Sequence, residues 1–202
     1  MKKNSVYAFC ALLSRMKYIT RWGLMRCARP ESLSEHTTET AILAHTLGLI
    51  AHDILGEREI RPDALAVAAL YHDASEILTG DMPTPVKYKS EELRAAYKKL
   101  EKQSAESLAA LLPDELQAAM RPCLTGDMLN GPERVLLKAA DRLSALIKCM
   151  EEEASGNTEF ASAKRQQIAQ LKQMECPAAE YFVRHFLPGY SRNLDELTKG
   201  SL

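Results

Sequence analysis

The chain has 202 residues, and its 26 Lys and Arg nearly balance its 27 Asp and Glu, which gives a formal net charge of −1. Its 46% hydrophobic and 26% charged residues are typical of a globular protein, and its length suffices for one full core. We therefore expect a single domain over residues 1–202. Balanced charge gives no global attraction to nucleic acid polymers or anionic membranes, so any phosphorylated ligand must be bound by local groups.

The five cysteines are widely spread and form no C-x-x-C pair. This pattern favours reduced thiols in the cytoplasm over a disulfide framework or a thiolate zinc site. The N-terminus resembles a short signal peptide, but it lacks a small-residue cleavage site and continues into Arg15, Lys17 and Arg21. No apolar run approaches the roughly 20 residues that span a bilayer. We therefore expect a cytoplasmic protein without membrane attachment.

Helical periodicity predicts a first amphipathic helix over residues 4–18 and a long helix that starts after Ser32 or Ser34 and ends near Leu55. Between them, Arg21 and Trp22 lie in a predicted loop. One interpretation is a tryptophan that closes the edge of the core beside an exposed arginine. The other is an aromatic wall next to a guanidinium that binds phosphate.

The predicted long helix carries His36, His45 and His52. At about 100° per residue, His45 and His52 lie roughly 180° and 160° around the helix axis from His36. They are therefore not expected to point into the same pocket as His36, and we interpret both as structural. His185 has no carboxylate in motif spacing and receives the same interpretation.

A largely buried helix is predicted from Pro62 to near Leu78, because apolar residues run almost unbroken from Ala64 to Tyr71. In this helix His72 and Glu76 share a face, and Asp73 lies about 100° away. Charged groups at a buried helix end need compensation, and a metal ion is the simplest one, since imidazole and carboxylate are ordinary ligands. A His-Asp pair alone, however, occurs often by chance.

Five further helices are predicted over residues 90–112, 113–120, 132–154, 158–174 and 177–186. In the third of these, Asp141 lies one turn from both Leu137 and Ala145 and therefore faces inward, unless it forms an exposed ion pair with Lys138. The aromatic residues of the last helix are interpreted as core or oligomer contacts. No alternation of period two persists, so the chain is predicted to be all-α.

The order His36, His72-Asp73, Asp141 resembles the H…HD…D pattern of the HD-domain metal-dependent phosphohydrolases. The chain is further similar to the bacterial 5'-deoxynucleotidases of that superfamily through segments spread over its whole length. These segments are Arg21-Trp22, Ser34-Glu35-His36, residues 71–76 (YHDASE), residues 78–88 (LTGDMPTPVKY) and Lys138-Ala139-Ala140-Asp141. The resemblance implies an HD-domain helical bundle that forms a homodimer.

The resemblance also implies one divalent transition metal held by His36, His72, Asp73 and Asp141. Mixed nitrogen and oxygen ligands suit Mn, Fe, Co, Ni, Cu and Zn, so the sequence leaves the metal open. The implied reaction hydrolyses deoxyribonucleoside 5'-monophosphates to deoxynucleoside and phosphate, with metal-bound water as the nucleophile.

Roles for residues outside the ligand set follow from the same resemblance. Glu76 is the candidate to orient or deprotonate the attacking water, and Asp81 to protonate the leaving 5'-oxygen or to bond to the sugar hydroxyl. These two roles are interchangeable on the sequence. Arg21 is expected to pair with the phosphate, and Trp22 to pack against the sugar and exclude a 2'-hydroxyl. Further implied substrate contacts are Asp73, Met82, Pro83, Thr84 and Asp141.

Two other functions remain open at this point. An HD hydrolase that acts on a triphosphate or an alarmone would need more positive charge than Arg21 and Lys87 supply near the site. A non-catalytic HD-type module that binds a metal or a partner for signalling would have no chemical need of Glu76 and Asp81. Phosphate release from dAMP, AMP and dGTP separates these functions.

Overall fold

The computed structural model describes residues 6–87 and 89–199, apart from the side chains of Thr84 and Pro85, and these residues form no strand. The predicted all-α class is confirmed. The α-helices within these ranges are α1 (Phe9–Leu13), α2 (Leu33–Leu49), α3 (Pro62–Tyr71), α4 (Glu76–Thr79), α5 (Thr84–Lys87), α6 (Glu91–Ala109), α7 (Asp114–Thr125), α8 (Gly131–Ala154), α9 (Ala161–Gln173), α10 (Pro177–His185) and α11 (Leu194–Thr198). No helix among the described residues is long and apolar enough to cross a bilayer.

Helix α2 begins where the sequence indicates. Ser32 is its N-cap, and Ser32 and Glu35 form a reciprocal capping box in which each side chain accepts from the other residue's backbone N–H. Both bonds satisfy donors that the first helical turn leaves free. The helix passes into a π-turn over Ile50–Ile54, so its end near Leu55 also agrees with the prediction.

Several predicted boundaries are wrong. The first helix is only α1, followed by a 3₁₀ segment over Ser14–Tyr18, and residues 1–5 lie outside the described part of the chain. Helix α7 continues past Met120 and through Pro122 to end at Gly126, whose φ of 72° is the left-handed conformation that glycine adopts without strain. The short helix α11 was not predicted.

The helix predicted to run from Pro62 to near Leu78 is also interrupted, because α3 ends at Tyr71. In a continuing helix the Ala69 carbonyl would accept from the Asp73 backbone N–H, but the His72 ring nitrogen Nδ1 lies 2.7 Å from that carbonyl. Tighter bonds follow, from Ala74 N–H to the Tyr71 carbonyl and from Glu76 N–H to the Asp73 carbonyl. His72 and Asp73 therefore lie in a turn, and α4 begins only at Glu76.

Helix α3 is also less buried than predicted, since Val67 and Leu70 are exposed while Leu65, Ala68 and Ala69 are buried. The buried face packs against α2, which also contacts α8 extensively. The larger hydrophobic cluster lies among α2, α3, α8 and α10.

A second hydrophobic cluster joins α1, α6 and α7, and Ala74 is fully buried in it. Because Ala74 follows Asp73 directly, this burial fixes the turn that carries His72 and Asp73. The turn is thus held between α3 on one side and the second cluster on the other.

Candidate metal centre and active site

Three predicted ligands come together at the turn after α3. One ligand atom from each of His36, His72 and Asp73 lies within 4.8 Å of the others. Asp73 Oδ2 is 3.5 Å from His36 Nε2 and 3.2 Å from His72 Nε2. Helix α2 therefore supplies one imidazole, and the interrupted helix supplies the second imidazole and a carboxylate.

Asp141 reaches the same cluster from α8, with Oδ1 3.4 Å from His36 Nε2. Its other oxygen accepts a 2.9 Å hydrogen bond from Lys138 Nζ, and its side chain is 24% exposed. Both interpretations of Asp141 thus hold in part, since it faces the cluster and also pairs with Lys138.

Hydrogen bonds on the far side of each imidazole direct its Nε2 toward the carboxylates. Ser144 Oγ donates to Glu39 Oε2 at 2.8 Å, so it accepts from His36 Nδ1 at 3.1 Å. His72 Nδ1 donates to the Ala69 carbonyl. In the neutral form of each ring, Nε2 is then the unprotonated nitrogen that a metal requires.

The two Nε2 atoms are buried, and neither has a hydrogen-bond partner. Buried polar atoms rarely remain unpaired without a functional reason. Because both atoms face Asp73, and Asp141 lies beside His36, the set suits a divalent cation bound by nitrogen and oxygen. The residues present therefore fit the metal that the resemblance implies.

The carboxylates of this cluster are held in their charged form. Burial raises the pKa of Asp73, but the imidazoles of His72 and His36 outweigh it and hold that pKa well below its usual range. For Asp141, Lys138 and His36 likewise outweigh burial and lower the pKa. Charged carboxylates are the state in which both residues bind cations.

Glu76 and Asp81 lie next to this cluster. Glu76 is 6% exposed, and its Oε2 has no hydrogen-bond partner. Burial, together with the charges of Asp73 and Asp81, raises the pKa of Glu76 to about 9. Burial also raises the pKa of Asp81, although Arg21 favours its charged form. Both groups thus hold a proton more tightly than usual, which suits delivery of a proton to the leaving oxygen. Deprotonation of water requires the carboxylate form, which a nearby cation favours.

Arg21 and Trp22 lie at the edge of the cluster. Arg21 Nη1 is 3.4 Å from Asp73 Oδ2, and the arginine side chain is only 13% exposed. Trp22 packs against Phe160 with 5.2 Å between ring centroids. The interpretation with an exposed arginine therefore does not hold, because the guanidinium points toward the carboxylates.

The remaining predicted substrate contacts follow Asp81 along the chain. Met82 and Pro83 are partly buried in the segment between α4 and α5. Thr84 begins α5, but its side chain lies outside the described part of the structure, as does Tyr88 of the same motif.

The other histidines lie apart from the cluster, as the helical angles predict for His45 and His52. His45 is 3.4 Å from Asp63, His52 is 2.8 Å from Asp53, and His185 packs against the Tyr181 ring.

Three contributing residues were missed in the sequence: Glu31, Glu39 and Ser144. Glu39 follows His36 by three positions on α2, and Ser144 follows Asp141 by three positions on α8, so each shares a face with a ligand of its own helix. That spacing was the available signal. Glu31 carried none, because its position opposite Arg21 depends on the path of the loop.

Comparison with known proteins finds a matching family model and relatives with the same described activity. A family model described as 5'-deoxynucleotidase YfbR-like matches residues 8–190. A 5'-deoxynucleotidase of Vibrio parahaemolyticus is 42% identical over 190 residues, which cover 94% of this chain and 97% of that protein. A 5'-deoxynucleotidase of Erwinia tasmaniensis is 42% identical over 194 residues, or 96% and 98% of the two chains.

Solved structures share the fold. An HD-domain phosphohydrolase from Listeria innocua superposes with a TM-score of 0.78 at 25% identity, covering 95% of each chain. A cyanophage S-2L HD phosphohydrolase, DatZ, bound to dA and one catalytic Zn²⁺ ion, has a TM-score of 0.67 at 20% identity and covers 96% of this chain and 100% of its own.

Proposed function

The chain belongs to the YfbR-like 5'-deoxynucleotidase family, and from this premise we propose that it is a metal-dependent phosphatase of deoxyribonucleoside 5'-monophosphates. The observation that carries the proposal is the pair of buried, unpartnered imidazole nitrogens facing Asp73. These predicted metal ligands lie beside Arg21, whose guanidinium can bind a phosphate.

His36, His72, Asp73 and Asp141 would hold the divalent metal. When bound, the ion lowers the pKa of a coordinated water and withdraws charge from the phosphoryl oxygens. The second imidazole nitrogens stay engaged with Ser144 and the Ala69 carbonyl, which keeps both rings oriented.

The remaining residues bind and orient the substrate. Arg21 binds the phosphate, because its guanidinium complements the phosphate charge and partly offsets the negative carboxylates around it. Trp22 packs against the sugar, and its bulk disfavours a ribose 2'-hydroxyl. Met82, Pro83 and Thr84, in the segment after α4, are further substrate contacts of this proposal. Asp73 and Asp141 would contribute to phosphate binding and would also hold the metal.

Proton transfer is divided between two carboxyl groups. In its carboxylate form, which a bound divalent cation would favour, Glu76 would orient and deprotonate the attacking water. Asp81 would deliver a proton to the leaving 5'-oxygen or bond to the sugar hydroxyl. The bond between phosphorus and the 5'-oxygen breaks as the bond between phosphorus and the water oxygen forms. The products are a deoxynucleoside and inorganic phosphate.

The test is phosphate release from dAMP, AMP and dGTP by metal-stripped protein supplied with Mn²⁺, Co²⁺ or Mg²⁺. Metal-dependent release that favours dAMP over AMP supports the proposal. Release of pyrophosphate or triphosphate from dGTP would identify a triphosphate hydrolase instead. No turnover by protein that has bound metal would favour a non-catalytic role.

Two further features of the enzyme are part of the proposal. Its five cysteines are free thiols, which suits the reducing cytoplasm. A homodimer extends the family resemblance, and sedimentation velocity of the full chain tests it directly.

A further inference from the structure

Glu31 lies directly behind the two residues that are assigned to the substrate. The backbone N–H of Arg21 donates to the Glu31 carbonyl at 2.9 Å, and Thr20 pairs with Ser32 in an isolated antiparallel bridge. These backbone contacts close the loop between residues 20 and 32. They place Glu31, which is 8% exposed, opposite Arg21 and Trp22.

The Glu31 side chain contacts both neighbours through one atom. Its Oε2 accepts a 2.7 Å hydrogen bond from Trp22 Nε1 and lies 3.4 Å from Arg21 Nε. Hydrogen bonds to a charged acceptor are about twice as strong as those between neutral groups. The single carboxylate thus links the guanidinium and the indole.

Trp22 depends on such contacts because its own backbone is strained. Its φ of 61° lies in the left-handed region, which is uncommon and unfavourable for a bulky residue other than glycine. The Phe160 ring contacts one side of the indole, but an aromatic contact does not fix which way the N–H points. Glu31 provides the directional contact.

We propose that Glu31 is a positioning residue for deoxyribose selection, because its carboxylate holds the Trp22 indole in the orientation that excludes a 2'-hydroxyl. This proposal rests on the proposed function, in which Trp22 packs against the sugar. In this proposal Glu31 acts through Trp22 rather than on the sugar or the metal.

The experiment compares two substitutions that both remove the charge beside Arg21. Glu31→Gln keeps an oxygen that accepts from Trp22 Nε1, whereas Glu31→Leu keeps similar volume without an acceptor. Effects of the lost charge on phosphate binding are common to the pair. The difference between the variants therefore reports on the hydrogen bond to the indole.

The activity readout is the ratio of kcat/KM for dAMP to that for AMP. Glu31→Gln should keep this ratio within about twofold of the parent, and Glu31→Leu should lower it by about tenfold, the value of one hydrogen bond to a charged group. Equal ratios in the two variants would overturn the proposal. Glu35→Gln, which keeps the capping box of α2, is the matched control and should leave the ratio unchanged.

A second readout needs no turnover. Trp22 is the only tryptophan, so protein fluorescence reports on this indole alone. Glu31→Leu should shift its emission to longer wavelength and increase acrylamide quenching, while Glu31→Gln should resemble the parent. Identical emission in both variants would overturn the anchoring role, whereas absent dAMP hydrolysis with this emission difference would overturn the proposed function alone.

Should Glu31→Leu fail to fold, Trp22→Phe tests the same bond from the donor side. It keeps an aromatic ring but removes the indole N–H. The dAMP to AMP ratio should again fall by about tenfold. A ratio equal to that of the parent would overturn the proposal.

Discussion

Glu76 is buried beside the predicted metal ligands but is assigned to proton transfer rather than to metal binding. It lies beside the cluster, yet its Oε2 has no partner, and the close ligand atoms belong to His36, His72 and Asp73. We expect Glu76→Gln to bind metal and dAMP nearly as the parent does, while kcat falls by about 10²-fold or more, because only proton transfer is lost. Steady-state kinetics and elemental analysis of the purified variant measure both quantities.

The control for this substitution is Glu92→Gln, at an exposed position in the first turn of α6. It makes the same change of side chain at an exposed position and should leave kcat unchanged. Loss of bound metal in Glu76→Gln would contradict its assignment, because it would make Glu76 a ligand rather than a proton carrier.

At this scale the sequence predicted a great deal about the cluster. His36, His72 and Asp73 carried a signal through helix angle, adjacency and resemblance, and the structure brings them together. Glu31 could not be found, since its contact with Trp22 arises from a loop that crosses back over itself. Such long-range contacts leave no periodic pattern in a single sequence.

Helices α2 and α3 lie close together at Gly48. A Cβ atom added there would lie 2.8 Å from Pro62 Cα, and backbone does not move aside easily. We expect Gly48→Ala to lower the free energy of unfolding by about 1–3 kcal/mol through overpacking, despite the better helix propensity of alanine. Urea denaturation measures this change.

Gly131 provides the matched control, because it begins α8 and a Cβ there would meet nothing within 4 Å. Gly131→Ala should be neutral or slightly stabilising. Equal stability of the two variants would show that the two helices can separate at Gly48 without cost.

Helix α8 also anchors the loop that precedes α2, through the buried Glu152. This carboxylate accepts from Lys148 Nζ at 2.5 Å and from the backbone N–H groups of Ala28 and Arg29. Burial raises its pKa, but these donors outweigh burial and lower the pKa from 4.5 to about 2. The carboxylate therefore stabilises the fold fully above pH 4.5, and this contribution is lost as the pH falls toward 2.

We expect Glu152→Gln to lower the free energy of unfolding by about 3 kcal/mol at neutral pH, because Lys148 stays buried without its counterion. The difference between parent and variant should shrink as the pH falls from 4.5 to about 2. Urea unfolding across this range checks both statements, with the exposed Glu151→Gln as control. A constant difference at all pH values would contradict the role of the charge.

The order and class of the helices could be predicted because amphipathic periodicity is local. The end of α3 at Tyr71 could not, since it depends on the His72 ring taking the Ala69 carbonyl from the backbone. Competition between a side chain and the helix ladder has no signature in hydrophobic spacing.

The predicted metal ligands connect distant parts of the chain, because they are far apart in the sequence. His36 lies on α2, His72 and Asp73 follow α3, and Asp141 lies on α8. These helices also share the larger hydrophobic cluster, while Ala74 connects the turn to the second one. We propose that the chain is one domain, which predicts that the two hydrophobic clusters unfold in a single transition.

Metal binding should then stabilise the whole chain rather than one part. A divalent ion at about 100 times its dissociation constant should raise the free energy of unfolding by about 2.7 kcal/mol, since the unfolded chain does not hold the ligands together. Calorimetry should show one transition that moves to higher temperature. His72→Ala should abolish this shift, whereas His45→Ala, on α2 but beside Asp63, should keep it. Two transitions, only one of which responds to metal, would contradict the single domain.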